Sequence, residues 1–130
     1  MSIAIAVAVF GFLGAAARYA LGQWIPDGGG ASFPWATLFI NLSGSFLLGL
    51  LLGTAARRPL PDWWREGAGT GFLGAYTTFS AFNAQLAELI RHQAYGEAAL
   101  YAAASGLAGW KLAALGWRLG SRSGERGSAS

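Results

Sequence analysis

Four stretches of this chain contain no Asp, Glu, Lys or Arg: residues 1 to 17, 28 to 56, 67 to 87 and 98 to 110, the last ending at Lys111. A bilayer core is crossed by roughly 20 apolar residues of helix, so runs of this kind make lipid the natural solvent. Composition agrees: 54% of the 130 residues are hydrophobic and 12% are charged, too apolar a balance for a soluble domain of this size. In lipid the backbone must satisfy its own polar groups, which leads to helices. The fold class expected is an all-α integral membrane protein with spans at about 3 to 24, 34 to 56, 67 to 92 and 96 to 119. Residues 1 to 119 then form a single four-helix domain, and the Ser/Gly/Arg-rich 120 to 130 form a polar, disordered tail. The first run lacks the basic leader of a secretory signal and is read as a retained helix.

The loops suit this division. The first holds Pro26-Asp27-Gly28-Gly29-Gly30 and ends at Pro34, a residue that fits a first helical turn because its missing donor would have no partner there. The second, residues 57 to 66, is charged and carries Trp63 and Trp64, which belong at the membrane interface. The third, from Arg91 to Gly96, is tight and includes the lone histidine, His92, read as a solvated headgroup-level residue. Cysteine is absent, which excludes disulfides and thiolate chemistry.

Two spans carry small or polar residues every fourth position: Asn41, Ser45, Gly49 and Gly53 in the second, and Tyr101, Ser105 and Gly109 in the fourth. Small residues let helices approach closely in lipid. Four short helices have little room to bury two such stripes internally, which predicts an oligomer. Arg57, Arg58, Arg65, Arg118, Arg122 and Arg126 fall on the side of the chain termini, against Arg18 and Arg91 on the other. That bias places both termini in the cytoplasm.

The stretch GTGFLGAYTTFSAFN, residues 69 to 83, is unusual for a membrane span. Its opening matches GxGxxG, but a Pro/Trp/Arg loop precedes it in place of a strand, and no acidic residue follows at dinucleotide-site spacing. Gly74 followed by Thr77 and Thr78 predicts an interruption of the third span near Gly74 to Thr78. A break of this kind persists in a membrane only when buried in protein or lining a cavity. Its freed carbonyls suit a hard cation, and the helix that starts after it directs a positive dipole end inward. Plain helix crossing would also use glycine and threonine. Phe79 and Phe82, three apart, share a face, and aromatic ring edges carry partial positive charge that suits a small anion. Thr78, Ser80 and Asn83, with Asn41 and Ser105 elsewhere, supply donors able to replace an anion's water shell, or to bond neighbouring helices. Arg18 either snorkels or lines a vestibule that concentrates anions, and Lys111 admits the same two readings. No carboxylate lies deep in a span, which argues against a proton-coupled carrier.

These residues resemble the Fluc (CrcB) fluoride channels of bacteria and archaea. The resemblance runs nearly to residue 119 and rests on Gly14-Ala-Ala-Ala-Arg18-Tyr19, on the second span from Pro34 to Phe46, which includes Thr37, Asn41, Gly44 and Ser45, and most specifically on Gly71-Phe-Leu-Gly74-Ala-Tyr-Thr77-Thr78-Phe79-Ser80-Ala-Phe82. It implies an antiparallel dual-topology homodimer in the inner membrane, with two fluoride pores and a structural sodium ion at the dimer interface. By the same resemblance Gly74 and Thr77 would give backbone carbonyls to sodium, and Phe79 and Phe82 would form the aromatic pair along the pore. Asn41, Thr78, Ser80, Tyr101 and Ser105 would form its polar lining, and Arg18 the vestibule arginine. Ala75 and Ala81 stand where the family often has Gly and Thr or Ser, so one hydroxyl near the pore is missing. Some relatives pair two different subunits, which keeps a distinct partner open in view of the arginine bias.

The implied activity is passive, fluoride-selective export of cytoplasmic fluoride, with protection from its toxicity, and neither enzymatic chemistry nor nucleic-acid binding. The alternatives are a small dual-topology multidrug-type exporter, whose expected glutamate in the first span is missing, and a membrane assembly subunit, for which Phe79→Ile would be silent.

Overall fold

In a computed structural model of the chain, residues 1–25 and 31–128 are described, with side chains of the last helix through Arg122. Among them every regular element is helical. Helix α1 is Ile3–Trp24, and α2 is Trp35–Arg57. Helix α3 starts as Asp62–Glu66, widens into a π-helix over Gly67–Leu73 and ends in Gly74–Tyr76. Two extended residues follow, and α4 is Phe79–Arg91. Helix α5 starts as Tyr95–Ala103, passes through π-helical Ala104–Ala108 and continues as Gly109–Ser128. The helices α1, α2 and the Tyr95–Arg122 part of α5 are long and apolar enough to cross a bilayer by length and composition. The chain is thus a multi-pass membrane protein, and α3 with α4 make up the broken third element. The expected Pro26-to-Gly30 loop lies outside the described residues.

Two boundaries differ from the sequence reading. Residues 62–66, expected in a loop, form the first turn of α3. Pro61 ends the extended connection, its carbonyl accepts from the Trp64 and Arg65 amides at 3.1 and 3.0 Å, and Asp62 sits at the positive helix start. The last helix likewise passes residue 119 into the stretch expected to be disordered. Gly120 is still packed on α2, where a Cβ would run into the Leu50 carbonyl.

Backbone-close seams hold the bundle together. Along α2 and α5, side chains added at Gly49 and Gly53 would strike the carbonyls of Ala113 and Trp117, and one at Gly116 would strike that of Phe46. Glycines on both helices let the two backbones lie against each other, which maximises dispersion contact where lipid supplies no hydrophobic drive. The Gly49 and Gly53 half of the second-span stripe is therefore spent inside the chain. The same device joins α1 to α3. A Cβ on Gly71 would lie 2.7 Å from the Val7 carbonyl, and one on Gly14 would strike the Phe72 backbone. Within the GxGxxG-like run this packing role falls to Gly71.

Helix α2 thus sits between the two halves of the bundle, with α5 on one side and the α1–α3 pair on the other. Ile40, Leu73 and Tyr76 pack in one core cluster. Leu38, Leu89, Ala98 and Tyr101 pack in a second that holds α4 and the start of α5. The turn between α4 and α5 is closed by Gln93 at φ 58 and by an Ala94 amide that donates to the Leu89 carbonyl at 2.8 Å.

Candidate functional site at the helix break

The interruption predicted near Gly74 to Thr78 falls at its far end. Gly74 stays helical, whereas Thr77 (φ −81, ψ 156) and Thr78 (φ −146, ψ 115) are extended. Glycine is not what opens the helix; the side chains that take over its hydrogen bonds are. The Thr78 amide donates to Asn41 Oδ1 at 2.8 Å, and Asn41 Nδ2 donates to the Thr78 carbonyl at 3.0 Å. One primary amide satisfies both polar groups of one residue, as a neighbouring strand would. Thr78 then caps α4, its Oγ1 accepting from the Ala81 amide at 3.2 Å.

This arrangement has a consequence for two carbonyls. In an uninterrupted helix the amides of Thr78 and Ala81 would bond back to the carbonyls of Gly74 and Thr77. Both amides are engaged elsewhere, so those two carbonyls lose their helical donors. They are oxygens of the kind a hard cation takes as ligands.

An open groove of about 480 Å³ runs along the break. Its walls include Gly74, Thr77, Thr78, Phe79 and Phe82 from α3 and α4, Asn41 and Ser45 from α2, and Ser105 from the π-helical turn of α5. Residues from three separate spans are thereby brought to one place. Phe79 is 75% exposed in the single chain and stacks on Phe82, with ring centroids 6.1 Å apart and planes at 23°. The Ser45 hydroxyl donates to the Asn41 carbonyl at 2.9 Å, one turn below the amide that holds the break.

Tyr101, Ser80 and Arg18 are not among the residues that line this groove. Tyr101 does not line the groove: it is fully buried beneath Phe82, centroids 4.9 Å apart, and its hydroxyl donates to Gln85 Oε1 at 2.9 Å. Burial among Leu38, Leu89 and Ala98 makes it a support for the aromatic pair. Ser80 is exposed on the first turn of α4, 3.3 Å from the Thr78 hydroxyl. Arg18 is half-buried on α1 and is not among the groove residues.

Gln85, Ser43 and Tyr76 were not singled out from sequence. A glutamine within an apolar span was the available signal for the first. Ser43 and Tyr76, whose oxygens meet at 2.8 Å, are 33 residues apart, and nothing local links them.

Comparison with known proteins adds a family. Residues 5–117 match the model of a family described as CrcB-like protein, Camphor Resistance (CrcB). Among curated proteins, a fluoride-specific ion channel FluC of Thermus thermophilus is 43% identical over 114 residues, 88% of this chain and 90% of the relative. A fluoride-specific ion channel FluC 1 of Bacillus cereus is 44% identical over 119 residues, covering 91% of this chain and 87% of its own. A FluC of Acidobacterium capsulatum is 43% identical over 117 residues, 89% of this chain and 94% of the relative.

Proposed function

The chain belongs to the CrcB-like family, and from that premise we infer that it is a passive, fluoride-selective ion channel. Fluoride crosses membranes as the weak acid HF and is trapped inside as the anion. A selective leak down the electrochemical gradient then clears it and protects fluoride-sensitive enzymes without an energy source. The observation that carries this reading is the groove. Exposed Phe79, its partner Phe82 and the polar groups of Asn41, Thr78 and Ser105 converge beside a broken membrane helix. Partial charges from ring edges and amide or hydroxyl dipoles attract an anion without holding it as a formal cation would, which is what conduction requires.

The groove of one chain is open along a side, and closing it into a pore takes a second wall. A second copy in the opposite orientation provides one. Two copies would also bring two pairs of Gly74 and Thr77 carbonyls together, a donor set of the right chemistry for a structural sodium ion. When bound, that ion would fix the two breaks against each other. Asn41 and the Thr78 cap keep the four carbonyls available by holding the competing amides. The setting is the inner membrane, and a distinct partner subunit is the variant of this assembly that the arginine distribution would favour.

Fluoride efflux from liposomes holding the purified chain alone, read with a fluoride electrode, tests the reading. Rapid fluoride efflux with chloride retained is expected, and loss of at least tenfold in Phe79→Ile. Equal chloride and fluoride fluxes would overturn the selectivity. No efflux from folded protein would point to a second subunit or another activity.

A further inference from the structure

The break is tied to α2 on both sides, and only one tie faces the groove. On the far side of Thr77, Asn41 holds Thr78. On the near side, Tyr76, the last helical residue of α3, is 5% exposed and brings its hydroxyl to 2.8 Å from Ser43 Oγ. Ser43 Oγ also lies 3.0 Å from the Ile40 carbonyl, which can only accept. Ser43 therefore donates to Ile40, and the Tyr76 hydroxyl donates to Ser43. Between the two ties the Thr77 methyl rests on Gly44, where a Cβ would strike it. Three consecutive residues of the break, Tyr76 to Thr78, are thus seated on Asn41, Ser43 and Gly44 of one α2 turn.

We propose that the Tyr76–Ser43 hydrogen bond is a latch that positions the Gly74 and Thr77 carbonyls for the cation. The proposal rests on the cation reading above. Asn41 fixes Thr78, but the carbonyl of Gly74 belongs to the last turn of α3, and two extended residues separate that turn from α4. Beyond the Gly71–Phe72 seam with α1, the end of α3 keeps some rotation about its own axis without a tie at Tyr76, since the packing of Tyr76 on Ile40 and its stacking on Phe72 at 5.9 Å are apolar and non-directional. A directional bond from the tip of Tyr76 removes that rotation, and with it the spread in direction of the Gly74 carbonyl two residues back. The same bond sets where the chain leaves the helix at Thr77. Tyr76 and Ser43 touch no ion; they are positioning residues, acting through the backbone of the break.

Tyr76→Phe is a gentle probe, because it keeps the ring and its packing and leaves Ser43 bonded to Ile40. The measurement is the sodium concentration that half-protects the purified dimer from thermal unfolding, with potassium and N-methylglucamine as controls. The series is wild type, Tyr76→Phe, Ser43→Ala, Ser43→Thr and the Tyr76→Phe/Ser43→Ala double variant. Loss of one uncharged hydrogen bond corresponds to roughly a three- to tenfold rise in that midpoint. We expect the rise in Tyr76→Phe and Ser43→Ala, no further rise in the double variant, and a wild-type midpoint in Ser43→Thr, which restores the hydroxyl. A merely structural bond would lower the unfolding temperature equally with and without sodium, leave the midpoint unmoved and overturn the latch while the cation reading stands. A wild type indifferent to sodium would overturn the cation reading, and the latch with it.

Discussion

The two halves of α2 are built on one four-residue spacing and do opposite work. In the half toward its end, Gly49 and Gly53 lie against the α5 backbone with no room for a single added carbon. In the half nearer its start, Asn41 reaches 37 residues along the chain to replace the hydrogen bonds of a broken helix. The first contact depends on an absent side chain, so it is sensitive to size and indifferent to polarity. The second depends on polar atoms in fixed positions, so it is sensitive to polarity and more tolerant of size. A helix packed only in the first way would be a strut. The second way gives this span a part in the site, since it keeps the Gly74 carbonyl without its helical donor beside a groove.

Substitutions at these positions break the comparison in order of expected effect. Gly49→Val forces two backbones apart along the seam, and a cost upwards of about 3 kcal/mol is expected, as overpacking against immobile backbone lies at the upper end of such effects. Thermal unfolding and the yield of monodisperse protein in mild detergent would show it, and a stable, well-behaved variant would mean that the seam is looser than its geometry implies. Asn41→Leu, close in shape, leaves the Thr78 amide and carbonyl without their side-chain partner, at about 2 kcal/mol. Fluoride efflux should fall with it, because α4 would no longer be held in register with the groove. Efflux at the wild-type rate would separate the break from conduction. Phe79→Ile sharpens the contrast most. The ring is largely exposed in the single chain, so stability should change by no more than about 0.5 kcal/mol while efflux drops at least tenfold. At the small end, Asp62→Asn loses an exposed 3.1 Å pair with Arg65 and should cost less than about 1 kcal/mol by the same unfolding assay, with efflux unchanged.

Much of this was legible before any coordinates. Charge-free runs located the membrane helices, and Thr77 and Thr78 marked the interruption to within a few residues. Of the groove residues, Asn41, Gly74, Thr77, Thr78, Phe79, Phe82 and Ser105 could be named from sequence. The bond of Tyr101 to Gln85 was not legible, since a hydroxyl at stripe spacing suits a polar lining as well as a buried hydrogen bond. The start of α3 was hidden because Trp63, Trp64 and their charged neighbours suit an interfacial loop and a first helical turn equally.

The sequence by itself determined the solvent, the position of the apolar spans along the chain and the place where the third of them gives way, because each follows from runs of residues and from the local cost of bare backbone in lipid. Only the tertiary structure decided what the small residues are for. Whether a glycine faces another helix of the same chain or an outside partner, and whether Asn41 or glycine opens the break, depends on which residues tens of positions apart come within a hydrogen bond's length. Spacing along one helix carries no information about that distance.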